Sequence, residues 1–249
     1  MYPLFLSLLL TGVTALPPRP IFTLPSPPSS PLSWFESLAA RPSGLLLATR
    51  GDAPEIWQLD PLTRTGALLV SVAGAFNLTG IAEIPPPPGG EKETYIFASS
   101  HIPAPMEVTP GSAKVWKLVL PSAGPGKAEV TLLAALPQAG IYVLDVETAE
   151  VTTLMEGVEG VNGVRVDLAG GWVYWANHAG RTLNRVRVKE GGGGLVAWGA
   201  REVVMEGQTV DDFAVDVGRG RAYVAAMFEN EAVEVGLGGR GGGGWRRRM

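Results

Sequence analysis

From Trp34 onward, short apolar runs alternate with turns of Gly, Pro and Asn, and no long stretch carries the 3.6-residue period of an amphipathic helix. The runs come in pairs. GLLLATRGDAPEIWQLDPLTRTGALLV holds a strand, a loop and then Ile56-Trp57-Gln58-Leu59-Asp60. TYIFASSHIPAPMEVTPGSAKVWKLVLPSAG repeats the unit with Val115-Trp116-Lys117-Leu118, and GGWVYWANHAGRTLNRVRV and GRAYVAAMFENEAVEV carry it twice more. Four short strands recurring at roughly 45–50 residues predict an all-β chain of propeller blades. One blade cannot bury both faces of its sheet, so its neighbours must cover it. Trp57 and Trp116 occupy matching places and are expected in the core.

The spacing breaks once. Trp57 and Trp116 are 59 residues apart, but Trp116 and Tyr142 only 26. GIYVLDVETAEVTTLMEG therefore reads as the second half of a blade whose first half, about 20–25 residues on the blade period, is missing before Ile141. Beyond residue 235, GLGGRGGGGWRRRM is low in complexity and predicts no closing strand. Such a ring has exposed edges. A gene model with a misplaced splice and a wrong last exon accounts for both features, and a shortened protein is the other explanation.

Composition narrows the chemistry. Hydrophobic residues make up 46% of the 249, enough for a core, while 33 Gly and 21 Pro argue against a mainly helical protein. A net charge of −4 gives no footprint for nucleic acid. Without Cys there are no disulfides, thiolate sites or Cys nucleophiles, and two histidines, His101 and His178, cannot form a three-His metal site. Residues 1–15 read as a secretory signal: Leu4–Leu10 is the apolar core and Val13-Thr14-Ala15 the cleavage pattern. The run is too short to span a bilayer, and the competing reading is a buried N-terminal strand. Residues 16–33 form a Pro/Ser-rich arm, 34–235 the propeller and 236–249 the tail. Asn77-Leu78-Thr79 is a glycosylation sequon compatible with a secreted glycoprotein. EGGGGL at 190–195 reads as a flexible turn, because no Lys-Ser/Thr follows to make a phosphate loop.

Three stretches, WFESLAARPSGLLLATRGDAPEIWQLDP, GVNGVRVDLAGGWVYWANHAGRTLNRVRV and DDFAVDVGRGRAYVAA, resemble landmarks of secreted fungal six-bladed propellers of the gluconolactonase/regucalcin-like superfamily. Within it, the pattern is most similar to a fungal hetero-Diels-Alderase-like group from natural-product gene clusters. The resemblance covers about residues 34–235 and implies a six-bladed β-propeller, here incomplete. It also implies a monomer acting on a polyketide- or terpenoid-like small molecule.

The hetero-Diels-Alderase-like branch implies a cyclase with no cofactor, because cycloaddition needs only a pocket that holds diene and dienophile in a near-attack pose. Trp34, Trp175, Asn177, His178 and Phe213 flank the motif positions and are the pocket candidates, with no roles assigned. His178 reads more readily as a loop-surface histidine than as a catalytic base, because nothing in the sequence orients it. The gluconolactonase branch implies one divalent metal at the tunnel mouth, Ca²⁺, Mg²⁺ or Mn²⁺, bound by Glu, Asn, Asn and Asp. Here Glu36, Asn162 and Asp211 match three of the four, and the remaining Asn falls in the missing stretch. Hard oxygen donors suit these ions. A third possibility is a non-catalytic propeller that binds a ligand. Asn162-Gly163 is also a common tight-turn pair, so the expectation is a turn that presents Asn162 to the tunnel. Asp211-Asp212 reads equally as a solvated turn.

Overall fold

A computed structural model describes residues 19–24, 33–86, 92–104, 107–121, 127–158, 160–192, 194–226 and 231–238. The signal-like segment, most of the arm and the tail from 239 lie outside the described residues. The fold is all-β and is built as a series of antiparallel sheets in chain order. The first blade is β1 (Phe35–Ala40), β2 (Leu46–Arg50), β3 (Glu55–Asp60) and β4 (Thr65–Ser71). The second is β5 (Asn77–Ile84), β6 (Lys92–Ser100), β7 (Lys114–Pro121) and β8 (Glu129–Ala135). A two-stranded sheet follows, β9 (Gly140–Leu144) with β10 (Val151–Glu156). The next blade joins β11 (Val161–Asp167), β12 (Trp172–Asn177) and β13 (Thr182–Gly191), whose outer edge pairs with both β14 (Gly194–Ala197) and β15 (Glu202–Glu206). The last sheet is β16 (Val210–Asp216), β17 (Arg221–Ala226) and β18 (Glu231–Gly236).

The two-stranded sheet is the expected half-blade, and its turn and its neighbour together show which half. In the first blade Asp60 Oδ1 accepts the Leu62 and Thr63 amides at 2.8 and 3.2 Å, and Arg64 has φ 58°. In the half-blade Asp145 Oδ1 accepts the Glu147 and Thr148 amides, both at 2.9 Å, and Ala149 has φ 61°. The turns match residue for residue, and β10 lies against β14, which pairs on the outer edge of the next sheet, so β9 and β10 are the outer, third and fourth strands of a blade that lacks its first two. Hydrogen bonds from Thr63 and Thr148 hold the Asp60 and Asp145 carboxyls below the usual range. A depressed folded pKa stabilises the turn above the ordinary carboxylate pKa, and this is lost as pH falls through the folded value.

The core lies between blades. Leu47, Ile56, Leu78, Tyr95, Phe97, Trp116 and Leu118 fill the first interface, where Phe97 and Trp116 stack at 6.3 Å. A second cluster, including Tyr174, Leu183, Met205, Phe213 and Val224, joins the blade of β11 to the last sheet. A third packs the half-blade's Ile141 and Leu154 on Val173, Trp175 and Val186. Trp116 is thus in the core as expected, whereas Trp57 is only half-buried. Trp57 is covered by Phe22 of the arm at 5.7 Å, which also reaches Phe35 at 6.3 Å. The reason is topological: among the described residues no packed interface joins the first and last sheets.

One ionic cluster clamps the first two blades. Arg41, just after β1, donates to Glu93 of β6 at 2.8 and 3.1 Å, to the Pro121 carbonyl at 3.2 Å and to Gln58. Tyr95 Oη adds a 2.9 Å bond to Glu93. Glu93 is 3% exposed, so its charge relies on these partners. The hydrogen bond to Glu93 raises the Arg41 pKa, and burial and then Glu93 push the Tyr95 phenol up.

Candidate functional site at the strand openings

The first strands of successive sheets approach one another, β1 against β5 and β11 against β16, which places them at the centre. All four carry a bulge near their openings. Register shifts fall between Phe35 and Ser37, Leu78 and Ile81, Val161 and Val164, and Val210 and Phe213. A bulge leaves a residue unpaired and re-aims its side chain, and bulges are common beside functional sites. Glu36, Asn162 and Asp211 each lie inside one of these bulges. Thr79 holds the equivalent place in β5 and was not expected. Its sequence signals are its place in the Asn77-Leu78-Thr79 sequon and its position between the apolar residues Leu78 and Ile81.

Asn162 and Asp211 meet: Asn162 Nδ2 donates to Asp211 Oδ1 at 2.7 Å. Beside them Asp212 bridges to Arg165 at 2.8 Å, and the Arg165 guanidinium lies 5.7 Å from the Phe213 ring centre. Both members of that ion pair are about half exposed, so it orients Arg165 and adds little stability. Asn162-Gly163 does not make the expected turn. It runs within β11, and the left-handed glycine is Gly160, one step before the strand, at φ 66°. A Cβ at Gly163 would fall 2.1 Å from Asp212 Oδ1, so a side chain there would have to displace the Asp212 carboxylate that orients Arg165. Glu36 sits apart with Trp34, whose Nε1 donates to its Oε2 at 2.7 Å.

The remaining pocket candidates are placed differently. Trp175 is fully buried against the half-blade, and Phe213, 4% exposed, fills the interface behind β16. Asn177 is spent on a turn, its Oδ1 accepting the Gly180 amide at 2.6 Å. His178 is half-buried on that turn, and its Nδ1 is buried without a hydrogen-bond partner among the described residues. Of the five, only Trp34 touches a candidate ligand. The sequon Asn77 is also committed: Nδ2 donates to the Gly51 carbonyl at 2.9 Å and Oδ1 accepts the Ile102 amide at 3.0 Å, which ties the first blade to the β6–β7 loop.

The donor set fits a hard divalent ion in type, with one carboxylate and one amide already in contact. Turning the Asn162 amide over places its oxygen beside Asp211, and which end is oxygen is an assignment from the hydrogen bond. Glu36 is the third oxygen donor at a strand opening. Among the described residues, no three His, Cys, Asp or Glu side chains gather closely enough to hold a metal unaided, so the amide is essential to any such site.

No protein-family model matches this sequence, and no curated protein does. Solved structures match the fold. A calcium-binding regucalcin from Agrobacterium tumefaciens has a TM-score of 0.51 at 15% identity, over 82% of this chain and 71% of that one. A structure of a nidogen/laminin complex gives 0.49 at 12% identity, over 83% and 81%. A gluconolactonase from Xanthomonas campestris gives 0.40 at 14% identity, over 75% and 54%. With its sheet order and bulged central strands, the chain has the β-propeller fold that regucalcin also has, lacking the inner half of one blade.

Proposed function

We propose that this propeller is a metal-dependent hydrolase of a small-molecule lactone, with Asp211 and Asn162 holding one divalent cation at the tunnel mouth and Glu36 leaving Trp34 to join them as the third ligand when the ion binds. The contact between Asn162 and Asp211 across two bulged strand openings carries this reading. The likeness to a protein described as calcium-binding supports it. Bound there, such an ion polarises a carbonyl and lowers the pKa of a water. Asp211 and Asn162 supply hard oxygens, and Glu36 supplies the second negative charge. Arg165, oriented by Asp212 and Phe213, offers a guanidinium to the carboxylate that lactone opening produces. The cycloaddition reading has less support, because Trp175 and Phe213 fill blade interfaces and Asn177 closes a turn. Residues 1–15 lead us to place the protein on the secretory route.

Thermal melting checks the metal. Ca²⁺ or Mn²⁺ at about a hundredfold excess over Kd raises Tm by about 5–10 °C, and Asp211→Ala removes the shift. A melt that is the same with added metal and with EDTA rules the proposal out. With metal bound, turnover of a panel of aldonolactones then tests the reaction, and its absence leaves a cation-binding propeller.

A further inference from the structure

The first blade is apolar on both faces, and another sheet covers only one of them. Leu47 and Ile56 point to the second blade, in the cluster with Tyr95 and Phe97. Across the other face run Leu38, Ala48, Trp57 and Leu68, one from each strand. Leu46, Leu59 and Gly66 form the next row. Residues paired across strands share a face, so the two rows make one apolar surface. Among the described residues no sheet packs on it. Its middle is covered all the same: Leu59 is 3% exposed and Ala48 fully buried, while Leu38 and Leu68 at the ends of their row are about half exposed.

The cover comes from the arm. Residues 19–24 have no regular structure, with Ile21, Phe22 and Leu24 half-buried and Thr23 exposed. The Phe22 ring lies against Trp57 and Phe35. Gly66 opens its seat, because a Cβ there would fall 2.9 Å from two carbons of that ring and 2.8 Å from Leu59 Cδ2. Phe22 therefore sits in a socket floored by Leu59 and Gly66 and walled by Trp57 and Phe35. Covering Trp57 leaves no polar atom unsatisfied, since its Nε1 already donates to Glu55 at 2.9 Å.

We propose that residues 19–24 are a strap built into the fold, which occupies the face where a further blade would pack and keeps the chain from associating through it. Among the described residues no backbone hydrogen bond ties 19–24 to the blade, so apolar contacts hold the strap and Phe22 is its anchor. With the strap out, Trp57 and Leu59 join Leu38 and Leu68 in one bare apolar surface, of the kind that drives association. The folded unit then begins at the strap, ahead of residue 34, where composition places the start of the propeller. The strap is independent of the lactonase proposal.

The chain has no cysteine, so one introduced thiol reports one position. The Leu59→Cys thiol reacts with an aromatic disulfide reagent about tenfold more slowly than the exposed Leu68→Cys thiol. Adding Phe22→Ser brings the two rates together, whereas adding Phe22→Leu, which refills the socket, does not. With far-UV circular dichroism unchanged, light scattering finds larger species for Phe22→Ser than for the native chain. Gly66→Val, which crowds the ring from the sheet side, gives the same result. A Leu59→Cys thiol as reactive as Leu68→Cys while Phe22 is in place overturns the proposal, and so does one that stays protected after Phe22→Ser. Exposure of the thiol by Phe22→Ser with no change in particle size also overturns it.

Discussion

Replacing Arg41 with alanine lowers the unfolding free energy by about 3–5 kcal/mol, the cost of leaving a buried carboxylate without its partner. Glu93 is 3% exposed, and Arg41 reaches it with two nitrogens while also binding Gln58 and the Pro121 carbonyl. These contacts span both complete blades, so the loss falls on their interface. Urea unfolding measures it. Glu93→Gln should cost less than Arg41→Ala, because a neutral amide can keep the Tyr95 bond. Changing both Arg41 and Glu93 to leucine should cost less than the sum of the single changes, since neither leaves a buried charge behind. A loss below about 1 kcal/mol for Arg41→Ala would show a solvated surface pair.

Trp175→Ala is the second large loss, again about 3–5 kcal/mol, for removing a fully buried indole from a packed interface. Its neighbours Ile141, Leu154 and Val173 belong partly to the half-blade, so the substitution also loosens β9 and β10. Differential scanning calorimetry should show a lowered Tm for Trp175→Ala and an unchanged one for Trp198→Ala, whose side chain is 52% exposed. A folded, equally stable Trp175→Ala protein that had lost only ligand binding would restore Trp175 to the tunnel pocket.

Much of this fold is legible in the sequence because blades repeat. The Ile56-Trp57-Gln58-Leu59-Asp60 and Ile141-Tyr142-Val143-Leu144-Asp145 runs mark third strands, and the missing half-blade was visible in their spacing. The side each tryptophan faces was not. Matching positions put Trp57 and Trp116 on the same face of their sheets, but only Trp116 has a preceding blade to pack on. The site was partly legible. Asn162 and Asp211, singled out together by the resemblance, lie 49 residues apart and are in contact. The Asn-Gly pair misled locally, because a bulge uses a glycine without a turn when a neighbouring side chain needs the space, as Asp212 does at Gly163. Trp175, Asn177 and Phe213 sit beside the motif in sequence. Alternation along a strand sends neighbours to opposite faces, and that periodicity governs where they point.

The metal site is the central claim, and Mn²⁺ titration followed by amide NMR tests it most directly, because a paramagnetic ion broadens only the signals near it. The account predicts selective loss of the Asn162, Gly163, Asp211 and Asp212 signals, with Glu36 following, and no such loss in Asp211→Ala. Broadening centred on the acidic Asp145–Glu150 turn, or spread evenly over the surface, would contradict it.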